Sequence, residues 1–285
     1  MDRNITVIIP AKNEADSVGG LVSRLVAMDE VSEILVVDDG SEDDTGKMAS
    51  DSGARVLVHP YSKGNGAAIK TGARAARGDI LVFMDADGQH APEDIGKLLS
   101  KIEEGYDLVV GARTKGSQAS VGRSMANKLY NRLATYITGQ RVEDLTSGFR
   151  AARAEAFRQF LYLLPNGFSY PTTSTMAFFR AGLSVAYVPI RASARTGKSH
   201  IKPLQDGVRF LLIIFKVGTL YSPLKIFTPV SFGVFTVGLS YYAFTYFTQG
   251  RFTNMSALMF TTSLVVFMVG LVSEQITSLM YKDDN

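Results

Sequence analysis

The stretch ILVFMDADGQH, residues 80–90, decides the fold, because an apolar run from Ile80 to Met84 passes directly into two aspartates, a glutamine and a histidine. A short, continuous run of branched and aromatic residues reads as a buried strand. In an extended segment the side chains of Asp85, Asp87 and Gln89 would leave on one side, since strand side chains alternate. Hard oxygen donors clustered at a strand end suit Mg2+ or Mn2+, which are held by one or two carboxylates plus a substrate phosphate and keep several waters. The competing reading is an Asp-rich turn before a helix, whose start is marked by Pro92, Glu93 and Asp94. The two are compatible.

Four more apolar runs lie around this one: Ile5 to Ile9, Glu33 to Val37, Arg55 to Val58 and Leu108 to Val110. Helical segments such as Ser17 to Met28 and Ala67 to Ala76 separate them, which predicts parallel βαβ units and a Rossmann-like sheet with helices on both faces. In open sheets of this kind ligands sit at the carboxyl ends of the strands. Polar motifs follow three of the strands there: PAKNE at 10–14, DDGSEDDT at 38–45 and DADGQH at 85–90.

Other classes fall away. Pro10 to Glu14 contains no glycine, against a dinucleotide fingerprint, and KGNGAAIKTG at 63–72 lacks the glycine five residues after Gly64 that a phosphate loop needs. Gly64 and Gly66 instead read as a tight turn before a helix. Asp39 reads as a ligand contact and Asp44 as the cap of the next helix. The 285 residues hold no cysteine, which removes disulfides, cysteine nucleophiles and thiolate metal sites and fits a reducing compartment. A net charge of +3 gives no case for nucleic acid as a partner. The apolar run at Ile5–Ile9 is too short for a signal peptide, so the front of the chain is expected in the cytoplasm.

Composition changes near residue 205. No charge occurs between Lys225 and Arg251, nor between Arg251 and Glu274. Each stretch exceeds the roughly 20 residues that cross a bilayer, predicting spans at about 226–248 and 256–278, with a buried helical hairpin as the alternative. Before them, residues 205–225 place Arg209 and Lys216 on one face of an apolar helix suited to the membrane interface, and Glu274 is expected to reach that interface. Lys216, Lys225 and Lys282 against a lone Arg251 put both ends on the cytoplasmic side of the cell membrane.

Arg113, in GAR at 111–113, follows the fifth strand, so its guanidinium can meet a phosphorylated substrate; DLTSGFRA at 144–151 reads as an acid, a turn and a helix start. The segment ARTGKSHIK at 194–202 reads as a loop able to close over that substrate.

Taken in order, VIIPAKNE at 7–14, VVDDGSEDDT at 36–45, MDADGQH at 84–90, GAR, DLTSGFRA and RTGKSHIKPLQDG at 195–207 resemble the family 2 glycosyltransferases of GT-A fold, and within them the dolichyl-phosphate mannose synthase-like polyprenyl-phosphate glycosyltransferases. The resemblance runs nearly from end to end. It implies that Pro10, Asn13, Glu14, Asp39, Asp85 and Ala86 bind a nucleotide-sugar, with Asp39 on the base, and that Asp85, Asp87 and Gln89 hold Mg2+ or Mn2+. It implies that Arg113, Arg123, Asn127, Arg195 and Ser199 hold the phosphate of an undecaprenyl- or dolichyl-type lipid, with Asp87, Asp144 and Arg113 as the catalytic set. Many relatives have lysine where His200 stands, and some have serine at Asn127. The expected reaction is inverting transfer of a hexose, from a donor of GDP-mannose or UDP-glucose type, to a polyprenyl phosphate in the bilayer. A glycan-extending transferase and a non-catalytic nucleotide-sugar-binding adaptor are the alternatives, and a homo-oligomer stays open.

Overall fold

The computed structural model describes residues 4–114, 121–167, 169–191, 215–216 and 218–280, with 121–127 described as helix backbone alone. Two compact units result: residues 1–135 with 140–201, and residues 136–139 with 202–285.

The first unit is built on seven strands: β1 (Ile5–Ala11), β2 (Glu33–Asp38), β3 (Arg55–Val58), β4 (Ile80–Phe83), β5 (Leu108–Arg113), β6 (Arg150–Arg153) and β7 (Val185–Ile190). Their order across the sheet is β3-β2-β1-β4-β6-β5-β7. All pairings are parallel except those of β6, which runs antiparallel to both β4 and β5. The five expected strands are present. The helix expected after the turn of DLTSGFRA is instead β6, with Ala151 and Ala152 opposite Val82 and Leu81, followed by the short helix α6 (Ala154–Arg158).

Alternation along β1 gives the sheet its two faces. Val7 and Ile9 pack with Val18, Val22 and Leu25 of α1 (Ala15–Val26) and with Leu98 and Ile102 of α4 (Ile95–Glu103). In α1 the buried positions Val18, Leu21, Val22 and Leu25 repeat at the spacing of one helical face. Ile8 points the other way, onto α3 (Asn65–Ala75), where a side chain at Gly72 would lie 2.4 Å from its Cγ2 atom. Glycine lets that helix lie against the sheet. Phe83 continues this second face, its ring tilted against Phe157 of α6 at a centroid distance of 4.5 Å, and Phe157 in turn meets Phe178 of α7 (Tyr170–Arg180). The remaining helices of the unit are α2 (Thr45–Asp51) and α5 (Val121–Thr138), whose end belongs to the second unit.

The second unit is dominated by α8 (Pro223–Gln249) and α9 (Asn254–Met280), joined through Gly250 in the left-handed region at φ 64°. Ser231, Gly238 and Thr245 on α8, and Ser256, Ser263, Gly270 and Thr277 on α9, are buried at seven-residue spacing. Small residues at that period let the backbones approach along one seam, and a seven-residue repeat bends such a seam left-handed. At its middle the Ser231 and Ser263 hydroxyls each donate to the other's carbonyl, at 2.8 and 2.9 Å. Both helices are long and apolar enough to cross a membrane, and only 11% and 17% of their most apolar windows are buried. A core hairpin would be mostly covered. Glu274 accepts a hydrogen bond from the Leu224 N–H at 3.3 Å, placing a carboxylate at the positive N-terminal end of α8. Most of the expected juxtamembrane helix lies outside the described residues; residues 215–216 and 218–221 are helical.

Candidate active site

The loops after β1, β2 and β4 meet at the carboxyl edge of the sheet, as the parallel order requires. The first two are laced together. Asn13, in the left-handed region at φ 53°, donates its N–H to Ser41 Oγ at 3.0 Å, and its side-chain oxygen accepts from Glu42 N at 2.9 Å. The Glu14 N–H donates to Thr45 Oγ1 at 2.8 Å, and the Ala15 N–H to Asp43 Oδ2 at 3.2 Å. Asp43 also accepts from the Thr45 N–H, and the Thr45 hydroxyl leads the hydrogen bonds that hold its carboxyl below the usual range. Asp44 does occupy the cap position of α2, but its side chain makes no capping bond; Asp43 does that work.

Asp39, expected to contact the base, is held by donors of the protein itself. Its Oδ1 accepts from His59 Nδ1 at 2.7 Å and from Lys63 N at 2.8 Å; its Oδ2 accepts from Ser62 Oγ and Gly64 N, both at 2.8 Å. A carboxylate has about four acceptor positions, so these four donors fill it. Burial alone would push the Asp39 carboxyl up, but the bonds from His59 and the 62–64 loop outweigh it and hold the group low. A carboxylate only accepts, so His59 presents an N–H from Nδ1 to Asp39, while its Nε2 pairs with Thr71 Oγ1 at 2.9 Å. Asp39 thereby folds the KGNG loop. The first N–H groups of α3 point at protein oxygens, Gly66 at the Gly167 carbonyl and Ala67 at that of Asn166, so this helix start is closed to a phosphate.

The D-x-D segment departs from the strand picture. β4 ends at Phe83, and Ala86 and Asp87 form a turn in which Asp87 Oδ1 accepts from the Gln89 N–H at 3.2 Å and Gly88 takes a φ of 70°. The two aspartates therefore sit at a turn after the strand, not on one side of an extended strand. Asp85 lies against the backbone of Gly148, where a Cβ would stand 2.6 Å from Oδ2. Beside this turn His90 stacks on Phe149 at 5.2 Å, its Nδ1 buried without a hydrogen-bond partner among the described residues. Burial pushes the His90 pKa down, which keeps the ring neutral.

Arg113 and Asp144 come together as a two-point ion pair: Nε to Oδ2 at 2.8 Å and Nη2 to Oδ1 at 2.9 Å. Thr146 supports it, donating its N–H to Asp144 at 3.1 Å and accepting from Arg113 Nη2. Burial would raise the Asp144 pKa, but the hydrogen bonds and charge of Arg113 hold it below the usual carboxylate range. Such a group is an anchor for a cation rather than a proton acceptor near neutrality.

Among the described residues no three His, Cys, Asp or Glu side chains converge as a metal cage. The D-x-D turn, with two carboxylates and an amide, still fits Mg2+ or Mn2+, because such ions complete their shells with waters and substrate phosphates. Of the residues expected to hold an acceptor phosphate, Arg113 is on this edge; Arg123 and Asn127 fall where α5 is described as backbone only, and Arg195 and Ser199, with the rest of their loop, lie outside the described residues. Sequence reasoning passed over His59, Tyr170 and Arg150. Only the adjacency of Arg150 to the SGF turn hinted at its place.

The sequence description of glycosyl transferase family 2 matches residues 6–161, more than half of the chain. The chain belongs to glycosyl transferase family 2. A second description, the GtrB C-terminal hairpin, matches residues 222–279 and so covers α8 and α9. Among relatives of this glycosyltransferase, glycosyltransferase AglJ of Haloferax volcanii is 28% identical over 96% of this chain and 94% of its own. The polyprenol monophosphomannose synthase of Mycolicibacterium smegmatis is 34% identical over 66% of this chain and 77% of its own. Other curated relatives, undecaprenyl-phosphate transferases, are matched over 49% of their length. Glucosyl-3-phosphoglycerate synthase from Mycobacterium tuberculosis, crystallised with Mn2+, UDP-glucose and phosphoglyceric acid, superposes with a TM-score of 0.60 at 28% identity, over 76% of this chain and 80% of that one. Related GT-A folds thus bind a divalent cation and a nucleotide-sugar.

Proposed function

We propose that this glycosyltransferase moves a hexose from a nucleoside-diphosphate sugar to a polyprenyl phosphate, with inversion at the anomeric carbon. The observation that carries the reading is a D-x-D turn on the same sheet edge as an anchored arginine, in a chain that ends in a hairpin of membrane length. Relatives named for polyprenol phosphate point to the same acceptor class. Residues 1–204 form the catalytic domain, facing the cytoplasm at the inner membrane; residues 205–225 lie along the interface and 226–281 anchor the protein.

In this reading Asp85, Asp87 and Gln89 hold Mg2+ or Mn2+, which when bound supplies positive charge to the departing diphosphate. Pro10, Asn13, Glu14 and Ala86 line the nucleotide, and the loop folded by Asp39 forms a further wall. Arg113, its fork oriented by Asp144, presents its remaining N–H groups to the lipid phosphate, joined by Arg123, Asn127, Arg195 and Ser199. The lipid phosphate, with a second pKa of about 6, is already largely ionised at neutral pH and attacks without a strong base. Positioning and leaving-group stabilisation therefore lower the barrier. Asp144 being committed to Arg113 agrees with that economy.

The test is a product assay on purified protein in detergent, with polyprenyl phosphate and a panel of UDP- and GDP-sugars, with and without Mg2+ or Mn2+. A glycosyl phospholipid formed only with metal supports the proposal. Transfer to a carbohydrate acceptor alone, or donor binding without any product, would replace it with a glycan-extending or adaptor role.

A further inference from the structure

Arg150 is the largest fully buried side chain of the first unit, with no exposed surface. Its hydrogen-bond acceptors are all neutral oxygens: Nε and Nη2 donate to the Ser147 carbonyl, and the two N–H groups of Nη1 are shared among the Pro171 carbonyl, Ser174 Oγ and Thr175 Oγ1, at 2.8, 2.8 and 3.1 Å. The Tyr170 ring lies 5.7 Å from the guanidinium carbon. A buried cation without a paired carboxylate is expensive to a fold. What it holds is the segment 147–149, fastened to the start of α7. The Tyr170 hydroxyl adds a second fastening, donating to the Gly148 carbonyl at 3.1 Å. The Asp85 carboxylate packs against the same segment, with Gly148 leaving room for Oδ2 where a Cβ would stand at 2.6 Å.

We infer that Arg150 is a positioning residue and that Gly148, held in place by Arg150 and Tyr170, is the floor that fixes the Asp85 carboxylate in the metal-binding turn. The inference rests on the proposed function and adds to it the part that sets where this metal ligand stands. Arginine is required by shape as well as charge, because its planar fork reaches the Ser147 carbonyl and the α7 oxygens at once; a lysine supplies one donor cluster instead. Glycine at 148 is required by space, since an alanine there displaces the Asp85 carboxylate.

The two positions separate positioning from folding. At Gly148 the backbone is outside the left-handed region, and the atom that an added Cβ meets is the end of a flexible side chain. Gly148→Ala therefore leaves the melting temperature nearly unchanged while moving the carboxylate. Arg150→Lys loosens the segment itself. Calorimetric titration of the full-length protein in detergent with UDP and with GDP, across a series of Mn2+ concentrations, reads the effect without turnover. Both variants are expected to need at least tenfold more Mn2+ for half-maximal nucleotide binding, with nucleotide affinity in the absence of metal unchanged. Gly148→Ala with wild-type Mn2+ dependence would overturn the inference, even if Arg150→Lys failed to fold. No metal-dependent nucleotide binding by the wild-type protein would overturn the proposed function, and the inference with it.

Discussion

Replacing Asp144 with asparagine isolates what the buried ion pair contributes. The substitution keeps the side chain's size and one acceptor but leaves the Arg113 guanidinium without its counter-ion. Removing one partner of a buried pair costs about 3–5 kcal/mol. Here the Asp144 side chain is 8% exposed but that of Arg113 is 24% exposed, so water recovers part of the loss. About 2–3 kcal/mol is the expected cost, or about 4–12 °C in melting temperature at about 2–4 °C per kcal/mol for a domain of this size. The pH dependence follows from the depressed pKa of Asp144. A carboxyl held below its unfolded value of about 3.9 contributes its full stability above that value, and loses it as pH falls through the folded value. Calorimetry in detergent should therefore show a constant gap between wild type and Asp144→Asn from about pH 7 to pH 5, closing below about pH 4. A gap of only a few tenths of a kcal/mol at neutral pH, or one that widens on acidification, would refute the assignment of Asp144 as the anchor of Arg113.

Three further perturbations test other joints. Asp87→Ala should abolish turnover while circular dichroism and melting stay close to wild type, because it removes oxygens from a surface turn and no core volume; normal activity would end the metal role of that turn. His59→Ala removes one of the four donors on Asp39 and the link to Thr71, at a cost of about 1–3 kcal/mol, and should speed hydrogen exchange at Lys63 and Gly64. Unchanged protection there would show that Asp39 holds the loop without the bond from His59. Glu274→Ala removes the carboxylate at the start of α8 and should lower the stability of the hairpin in detergent by about 0.5–2 kcal/mol, with Glu274→Gln milder; equal effects would speak against capping.

Four of the five strands legible in the sequence, β1, β2, β4 and β5, are apolar runs buried along nearly their whole length, so burial on both faces announces them, whereas β3 is an edge strand read from its short Val-Leu-Val run. β6 reads otherwise. Arg150-Ala151-Ala152-Arg153 has the composition of a helix, and becomes a strand by pairing antiparallel with β4 on one side and β5 on the other, so tertiary pairing overrides local propensity. β7 is hidden by Pro189, which an edge strand tolerates. The candidate site divides the same way. Residue types and their place at the carboxyl edge follow from spacing, since they depend on one loop at a time. Partners do not. Asp39 meets His59 across 20 positions, Asp144 meets Arg113 across 31, and Gly148 meets Asp85 from the segment just before β6, a strand the sequence did not announce.

Those partners divide the acids of the site into two kinds. Asp39 and Asp144 are bound to donors of the protein itself, four on the first and an arginine fork on the second, and each organises a loop or a cation that other groups depend on. Asp85 and Asp87 stand at a turn, one residue apart, where Asp87 also accepts the Gln89 N–H, and among the described residues no third acid or histidine completes a cage with them. A site of that composition becomes complete only when a metal and a diphosphate arrive together, so the cation and the donor should bind cooperatively. The two kinds of acid must then fail differently. Loss of Asp39 or Asp144 lowers stability first and activity as a consequence, whereas loss of Asp85 or Asp87 removes the coupling between metal and nucleotide in a protein that still folds. Measured side by side, melting temperature and Mn2+-dependent nucleotide binding assign each carboxylate to one kind or the other.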